Sequence, residues 1–99
     1  MAATTPEQID QVRAIVAAIP PGKVTTYGDI AEAVGLATPR TVGWIMRTDT
    51  ADLPWHRVIS ASGRPSAPRA ELQLRLLKAE GAPIIDGRVV MRTARTQLG

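Results

Sequence analysis

The sequence predicts a mainly α domain with a small β element, in outline a winged helix-turn-helix. Three observations predict it. Two short apolar-periodic segments, one ending near Val34 and one starting near Pro39, are joined by a turn containing Gly35. Asp86-Gly87 sits between β-branched runs, the signal of a tight hairpin. Basic residues collect in the C-terminal half, which suits a polyanion partner. Ninety-nine residues make a single domain, 1–99, with one modest core.

Thr5-Pro6-Glu7-Gln8 opens the first helix, with Thr5 as N-cap, Pro6 at the first helical position and Gln8 three residues after the cap. Ile9, Val12, Val16 and Ile19 recur at spacings of three and four, the stripe of a helix packed on a core. Pro20-Pro21-Gly22 ends it, and Lys23-Val24-Thr25 reads as a short connection. A second helix starts after Thr26, runs through Ile30, Ala31 and Val34, and stops at Gly35. In the third, Thr38 is the cap, Pro39 takes the first position, and Val42, Ile45 and Met46 form the apolar face.

Arg40, Gly43 and Arg47, at i, i+3 and i+7, share a different face of that helix. It is basic at both ends, with a glycine between where a partner backbone could come close. Residues 48–53 read as a loop, Val58-Ile59 as a short strand and residues 60–65 as a turn. A fourth helix is expected over residues 66–80, with Leu72, Leu76 and Ala79 on one side and Gly81 as its stop. The hairpin at Ile84-Ile85 and Val89-Val90 follows, then a tail with Arg92 and Arg95 that is expected to be loosely held.

Composition excludes several functions. The chain has no Cys, hence no disulfide framework, no thiolate zinc site and no cysteine nucleophile. One His and scattered acids disfavour a metal centre, and neither metal nor cofactor is expected. No uncharged run is long enough to span a bilayer, and no basic-then-apolar segment opens the chain, so a soluble, cytoplasmic protein is expected. The net charge is +3, but residues 1–56 carry four bases against six acids while residues 57–99 carry eight against three. With a pI near 10.2, this nominates nucleic acid, although ordinary surface charge explains it equally well.

The aromatic residues are Tyr27, Trp44 and Trp55. Tyr27 opens the second helix, where its hydroxyl could donate to a phosphate or simply rest in water. Trp44 fits either core or interface. Pro54-Trp55-His56-Arg57 is the unusual segment, because it sets the only His beside a Trp where a loop meets a strand. A lone His is more often structural than catalytic, and pattern alone goes no further.

A family resemblance does. The segment Ile19-Pro20-Pro21-Gly22-Lys23-Val24-Thr25-Thr26-Tyr27-Gly28-Asp29-Ile30-Ala31 resembles the start of the DNA-binding domain of the O6-alkylguanine-DNA alkyltransferases. Arg40-Thr41-Val42-Gly43 is similar to that family's Arg-Ala-Val-Gly recognition helix. Pro54-Trp55-His56-Arg57-Val58-Ile59 resembles its Pro-Cys-His-Arg-Val active-site strand, with Trp where the acceptor Cys belongs. Leu76-Leu77-Lys78-Ala79-Glu80-Gly81 resembles its closing helix and Glu-Gly. The four motifs run in family order over residues 9–82. A Pro-Trp-His-Arg version marks the alkyltransferase-like branch, which binds alkylated DNA without repairing it.

The resemblance implies a winged helix-turn-helix like the C-terminal domain of the alkyltransferases, entering the minor groove. It implies DNA contacts from Tyr27, Arg40, Thr41 and Gly43, with Arg40 as the finger that replaces a flipped base and Tyr27 turning the nucleotide's phosphate. It implies a lesion pocket of Trp55, His56, Tyr27 and Glu80, with His56 and Glu80 standing where the family's thiol-activating pair stands. Two departures are visible: the segment 46–54 is shorter and lacks the family's Asn, and residues 60–69 lack its Tyr and Gly-Gly.

Indole offers an N–H donor and no lone pair comparable to a thiolate, so Trp55 cannot accept an alkyl group by in-line attack. Water activated by His56 and Glu80 is a far weaker nucleophile, and no metal is at hand to lower its pKa. The expectation is therefore a non-enzymatic, monomeric sensor that flips O6-alkylguanine in duplex DNA and marks it for nucleotide excision repair proteins. A winged-helix transcription regulator reading undamaged DNA is the alternative.

Overall fold

In the computed structural model, which describes residues 4–65 and 69–98, the first helix starts as its sequence dictates. Helix α1 spans Pro6–Ala18, with the Thr5 hydroxyl accepting from the Gln8 N–H and the Gln8 side chain accepting from the Thr5 N–H. Two backbone donors that the first turn leaves over are thereby satisfied. Strand β1, Thr25–Thr26, leads into α2, Tyr27–Val34, and α3 follows over Pro39–Thr48. A 3-10 turn over Trp55–Arg57 precedes β2, Val58–Ile59. Helix α4, Ala70–Ala79, then leads to strands β3, Ile84–Ile85, and β4, Arg88–Val89, and to the short helix α5, Met91–Ala94. None of the described helices is long and apolar enough to cross a membrane.

The mainly helical fold with its small β element agrees with the sequence expectation, and α2 packs on α3 as a helix-turn-helix. Two buried clusters hold it together. Val12, Val16, Ile19, Ile30, Ala31, Val42, Ile45 and Val58 join α1, α2 and α3. Val24, Ile59, Leu77, Ala82, Val89 and Ala94 join α4, the hairpin and α5. Strand β2 lies between them, and its two side chains point to opposite faces. Val58 therefore enters the first core and Ile59 the second.

Several local expectations are corrected. Residues 23–25 are more than a connection, because Thr25 and Thr26 pair in parallel with Val58 and Ile59. Val24 is fully buried and exchanges backbone hydrogen bonds with the chain's far end, its N–H to the Ala94 carbonyl and its carbonyl from the Thr96 N–H. Apolar periodicity cannot see a two-residue parallel pair whose partner is remote in sequence. Thr38 sits at the N-cap of α3 in extended backbone, yet its side chain makes no capping bond. Thr26 does cap α2, accepting from the Asp29 N–H at 2.9 Å.

The tail is not loose. Arg95 reaches back to the Asp29 carboxylate with two nitrogens, Lys23 Nζ donates to the Thr93 carbonyl at 3.0 Å, and Leu98 packs on the first core. The hairpin pairs Ile84 with Val89 and Ile85 with Arg88. Asp86 and Gly87 both take positive φ, 52° and 74°, as a two-residue turn of matching twist requires. At Gly63, with φ of 80°, an added Cβ would collide with the Val89 carbonyl oxygen. The hairpin thus docks on the segment leaving β2, and only glycine permits the approach.

The fourth helix differs most from its reading. Residues 66–68 of the expected span lie outside the described residues, Arg69 occupies the N-cap, and the helix proper starts at Ala70. Its buried face is Gln73 and Leu77 rather than Leu72, Leu76 and Ala79, with Leu72 42% exposed and Ala79 exposed. The cause is polar. Gln73 Nε2 donates to the backbone carbonyls of His56 at 3.1 Å and Val58 at 2.8 Å. A buried carbonyl without a donor is costly, so the amide dictates which face turns inward.

Replacing Gln73 by Leu, close to it in shape, leaves those two carbonyls without the amide. Chemical denaturation should show a loss of about 1–3 kcal/mol. Leu72→Ala, on the side favoured by periodicity, should cost less than about 1 kcal/mol because its site is half open already.

Candidate functional site

The unusual Pro-Trp-His-Arg segment is placed by contacts on both sides. Arg13 of α1 holds the loop before it, donating to the Asp49 carbonyl and pairing with the Asp52 carboxylate at 3.0 and 2.8 Å. Buried Thr50 closes the same loop by donating to the Met46 carbonyl at 2.7 Å. Trp55, His56 and Arg57 form a single 3-10 turn, not the strand that the resemblance implies. Such a turn sends successive side chains in different directions.

His56 and Arg57 converge on Glu80, at the C-cap of α4. Arg57 grips the carboxylate with Nε and Nη2, while its Nη1 donates to the Ile19 carbonyl at the end of α1 at 2.8 Å. One guanidinium therefore ties three elements together. His56 Nε2 lies 3.0 Å from Glu80 Oε1, within ion-pairing distance but off the direction of a hydrogen bond. The Arg57 hydrogen bonds, aided by His56, hold the Glu80 carboxyl down at about 2 against an ordinary 4.5. A carboxylate so stabilised is a poor proton acceptor near neutral pH and serves to orient its neighbours.

Trp55 stands on the other side of the turn. The His56 ring meets it edge-on, centroids 6.0 Å apart and planes at 86°, and the Arg69 guanidinium carbon sits 5.1 Å from the indole centroid. A cation over an indole face is attracted by the ring quadrupole. The resulting surface joins a flat π system to a positive charge and a half-buried acid. It can hold a planar, polarisable group, and Trp55 supplies no nucleophile to it.

His56 thus touches both Trp55 and Glu80, while Arg40, Thr41 and Gly43 lie on α3. Arg40 is exposed; Thr41 and Gly43 are half-buried. Tyr27 is the first residue of α2, half-buried against the first core. The two groups are fixed relative to each other through that core, which contains Val42 and Ile45 of α3 and Val58 next to Arg57. Two concavities lie elsewhere. A groove of about 510 Å³ runs between α2 and the tail, and a hollow of about 200 Å³ lies beside Ile15 and Pro20. Neither is lined by Tyr27, Trp55, His56 or Glu80. Among the described residues no three His, Cys, Asp or Glu side chains gather as metal ligands.

Sequence reading did not assign Arg57, Arg69 or Gln73. Arg57 stood inside the quoted motif and could have been asked which acid it neutralises. Arg69 had no local signal, since only the placement of the N-terminus of α4 brings it over Trp55.

Glu80 makes stability depend on acid. Its folded value lies below its unfolded one, so its contribution is complete above about pH 4.5 and is lost as pH falls towards 2. Glu80→Gln should cost about 2 kcal/mol at neutral pH, less than for a fully buried pair. Urea denaturation at stepped pH should show the gap between wild type and variant closing across that window.

Comparison with known proteins gives this geometry a context. Residues 7–82 match the family described as 6-O-methylguanine DNA methyltransferase, DNA binding domain. The chain is 43% identical over 75 residues to the DNA base-flipping protein of Escherichia coli, covering 71% of this chain and 58% of that protein's length. It is 36% identical over 93 residues to the DNA base-flipping protein of Vibrio parahaemolyticus, covering 88% of this chain and 93% of that one. The crystal structure of S. pombe Atl1 in complex with damaged DNA containing O6-carboxymethylguanine superposes with a TM-score of 0.85 at 30% identity, over 97% of this chain and all of that one. With most of the chain matched by the family's domain and its fold shared with Atl1, the chain belongs to the alkyltransferase-like members of the 6-O-methylguanine DNA methyltransferase DNA-binding family.

Proposed function

We propose that this protein is a non-enzymatic sensor that binds O6-alkylguanine in duplex DNA from the minor groove, extrudes the damaged nucleotide and marks it for nucleotide excision repair. One observation carries the reading. The framework of His56, Arg57 and Glu80 is intact, while an indole occupies the place of the thiolate in the family motif. Recognition is kept and transfer chemistry is removed. The damaged DNA bound by Atl1, a close structural neighbour, supports the same direction.

The energetics are consistent. Extruding a base costs a few kcal/mol, and less for an alkylated guanine that pairs poorly. Arg40, exposed near the N-terminus of α3, offsets part of this by filling the gap beside the orphaned base. The indole of Trp55 packs against the extruded ring, a contact worth about 1–3 kcal/mol, while Arg69 lies over the indole and adds a positive charge beside it. Tyr27, at the start of α2, turns the phosphate, while Thr41 and Gly43 lie along the backbone. Because the alkyl group stays on the base, another activity must remove the lesion. Excision of the surrounding strand fits that need, and a monomer suffices for the flipping step.

The test uses duplexes that differ by one O6-methylguanine, at fixed near-physiological salt, because backbone affinity depends steeply on salt. Wild type should bind the damaged duplex more tightly and leave its methyl group in place by mass spectrometry. Arg40→Ala should cut that preference by at least about tenfold, or ~1.4 kcal/mol. Equal binding to both duplexes by wild type would sink the sensor and favour a regulator of undamaged DNA. A demethylated product would sink the non-enzymatic assignment.

A further inference from the structure

The third helix has a face that no other part of the described chain covers. Arg40, Gly43, Trp44 and Arg47 share it. At about 100° per residue, Trp44 lies roughly 40° to one side of Arg40 and Gly43 roughly 60° to the other, with Arg47 two turns below. Trp44 is 49% exposed, and its ring has no aromatic or cation partner among the described residues. Arg40 and Arg47 are exposed and pair with no carboxylate among the described residues. Helix α3 itself contains no acid.

Gly43 adds an independent observation. An added Cβ there would meet nothing within 4 Å, and its φ is not in the left-handed region. The fold thus has room for alanine, which a helix interior favours by roughly 1 kcal/mol. An uncovered indole is likewise unfavourable for the isolated chain. Both costs are offset by a partner that comes close to bare backbone on one side and covers a flat apolar ring on the other. Two unpaired arginines and no acid select a polyanion. A duplex groove meets all of these demands, since its walls offer phosphates, flat sugar edges and acceptor atoms along the floor.

We propose that Trp44 is a duplex-binding residue, its indole packed against the sugar edge of one groove wall while the other wall closes on the backbone at Gly43. The proposal rests on the DNA-binding reading of α3 and adds a grip that is independent of damage. Arg40 acts where the nucleotide leaves the stack, whereas Trp44 and Arg47 hold the intact duplex beside it. Specificity for the lesion and affinity for the groove then reside on one helix face but in different side chains.

The indole N–H resonance of Trp44, identified by its loss in Trp44→Phe, reports the contact in isotope-labelled wild-type protein. A soluble paramagnetic agent should bleach it in the free protein and leave it protected in the complex with an undamaged duplex. Trp44→Ala should weaken binding to undamaged and methylated duplexes alike, by about tenfold, with the melting temperature unchanged. Trp44→Phe, which keeps a flat ring, should regain most of that loss. An indole still open to the agent in the saturated complex would overturn the proposal, as would wild-type affinity for both duplexes in Trp44→Ala. Because indole protection and the loss of affinity are both read on undamaged DNA as well, they stand or fall separately from any preference for the lesion.

Discussion

The clasp between Arg57 and Glu80 holds the site and the fold in one piece. The guanidinium spends its donors on the Glu80 carboxylate and the Ile19 carbonyl, so the end of α1, the approach to β2 and the end of α4 meet at a single side chain. A planar fork satisfies a carboxylate in two places and still has a nitrogen to spare, which a lysine could not do. Because the carboxylate is settled by Arg57, it does not need His56 as its counter-ion. His56 is left close to it, with its ring edge against Trp55. The same interaction that stabilises the domain therefore fixes the orientation of the residues around the indole.

Strand β2 extends that logic into the packing. Two residues suffice to join two cores, since one side chain goes to each. Their backbone is satisfied by β1 on one flank and by the buried Gln73 amide on the other. The chain's end closes the arrangement through Val24 and Arg95, so the tail contributes to the fold it was expected merely to follow. A domain this small can hold a rigid site because so few residues serve more than one element each. The exposed side of α3 remains outside these constraints and is free to be shaped by a partner.

The chemistry of the site follows from a division of labour. A stabilised carboxylate, a histidine set beside it and an aromatic face under a guanidinium form a surface for planar groups. Trp55 brings a flat π face and an N–H donor to this surface in place of a thiolate. On α3 the positive charge stays unneutralised, where long-range attraction to phosphates needs it. In the C-terminal half, by contrast, Arg57 and Arg95 are consumed by structural pairs, and net charge overstates what is available to a partner.

The sequence by itself determined the helices whose signals are local. Thr5 and Gln8 lie three residues apart and find each other without help, Gly35 stops α2, and Asp86-Gly87 turns the hairpin. It also determined the absence of a thiol and the order of the family motifs, both of which are matters of composition and spacing. Tertiary structure decided whatever depended on a distant partner. The inward face of α4 was set by the His56 and Val58 carbonyls that Gln73 meets, and the pairing of β1 by a strand more than thirty residues away. Arg69 came over Trp55, and Arg57 onto Glu80, only once α4 had docked. The physical reason is that capping and turn formation are satisfied within one turn of chain, whereas buried polar groups take whichever partner folding brings to them.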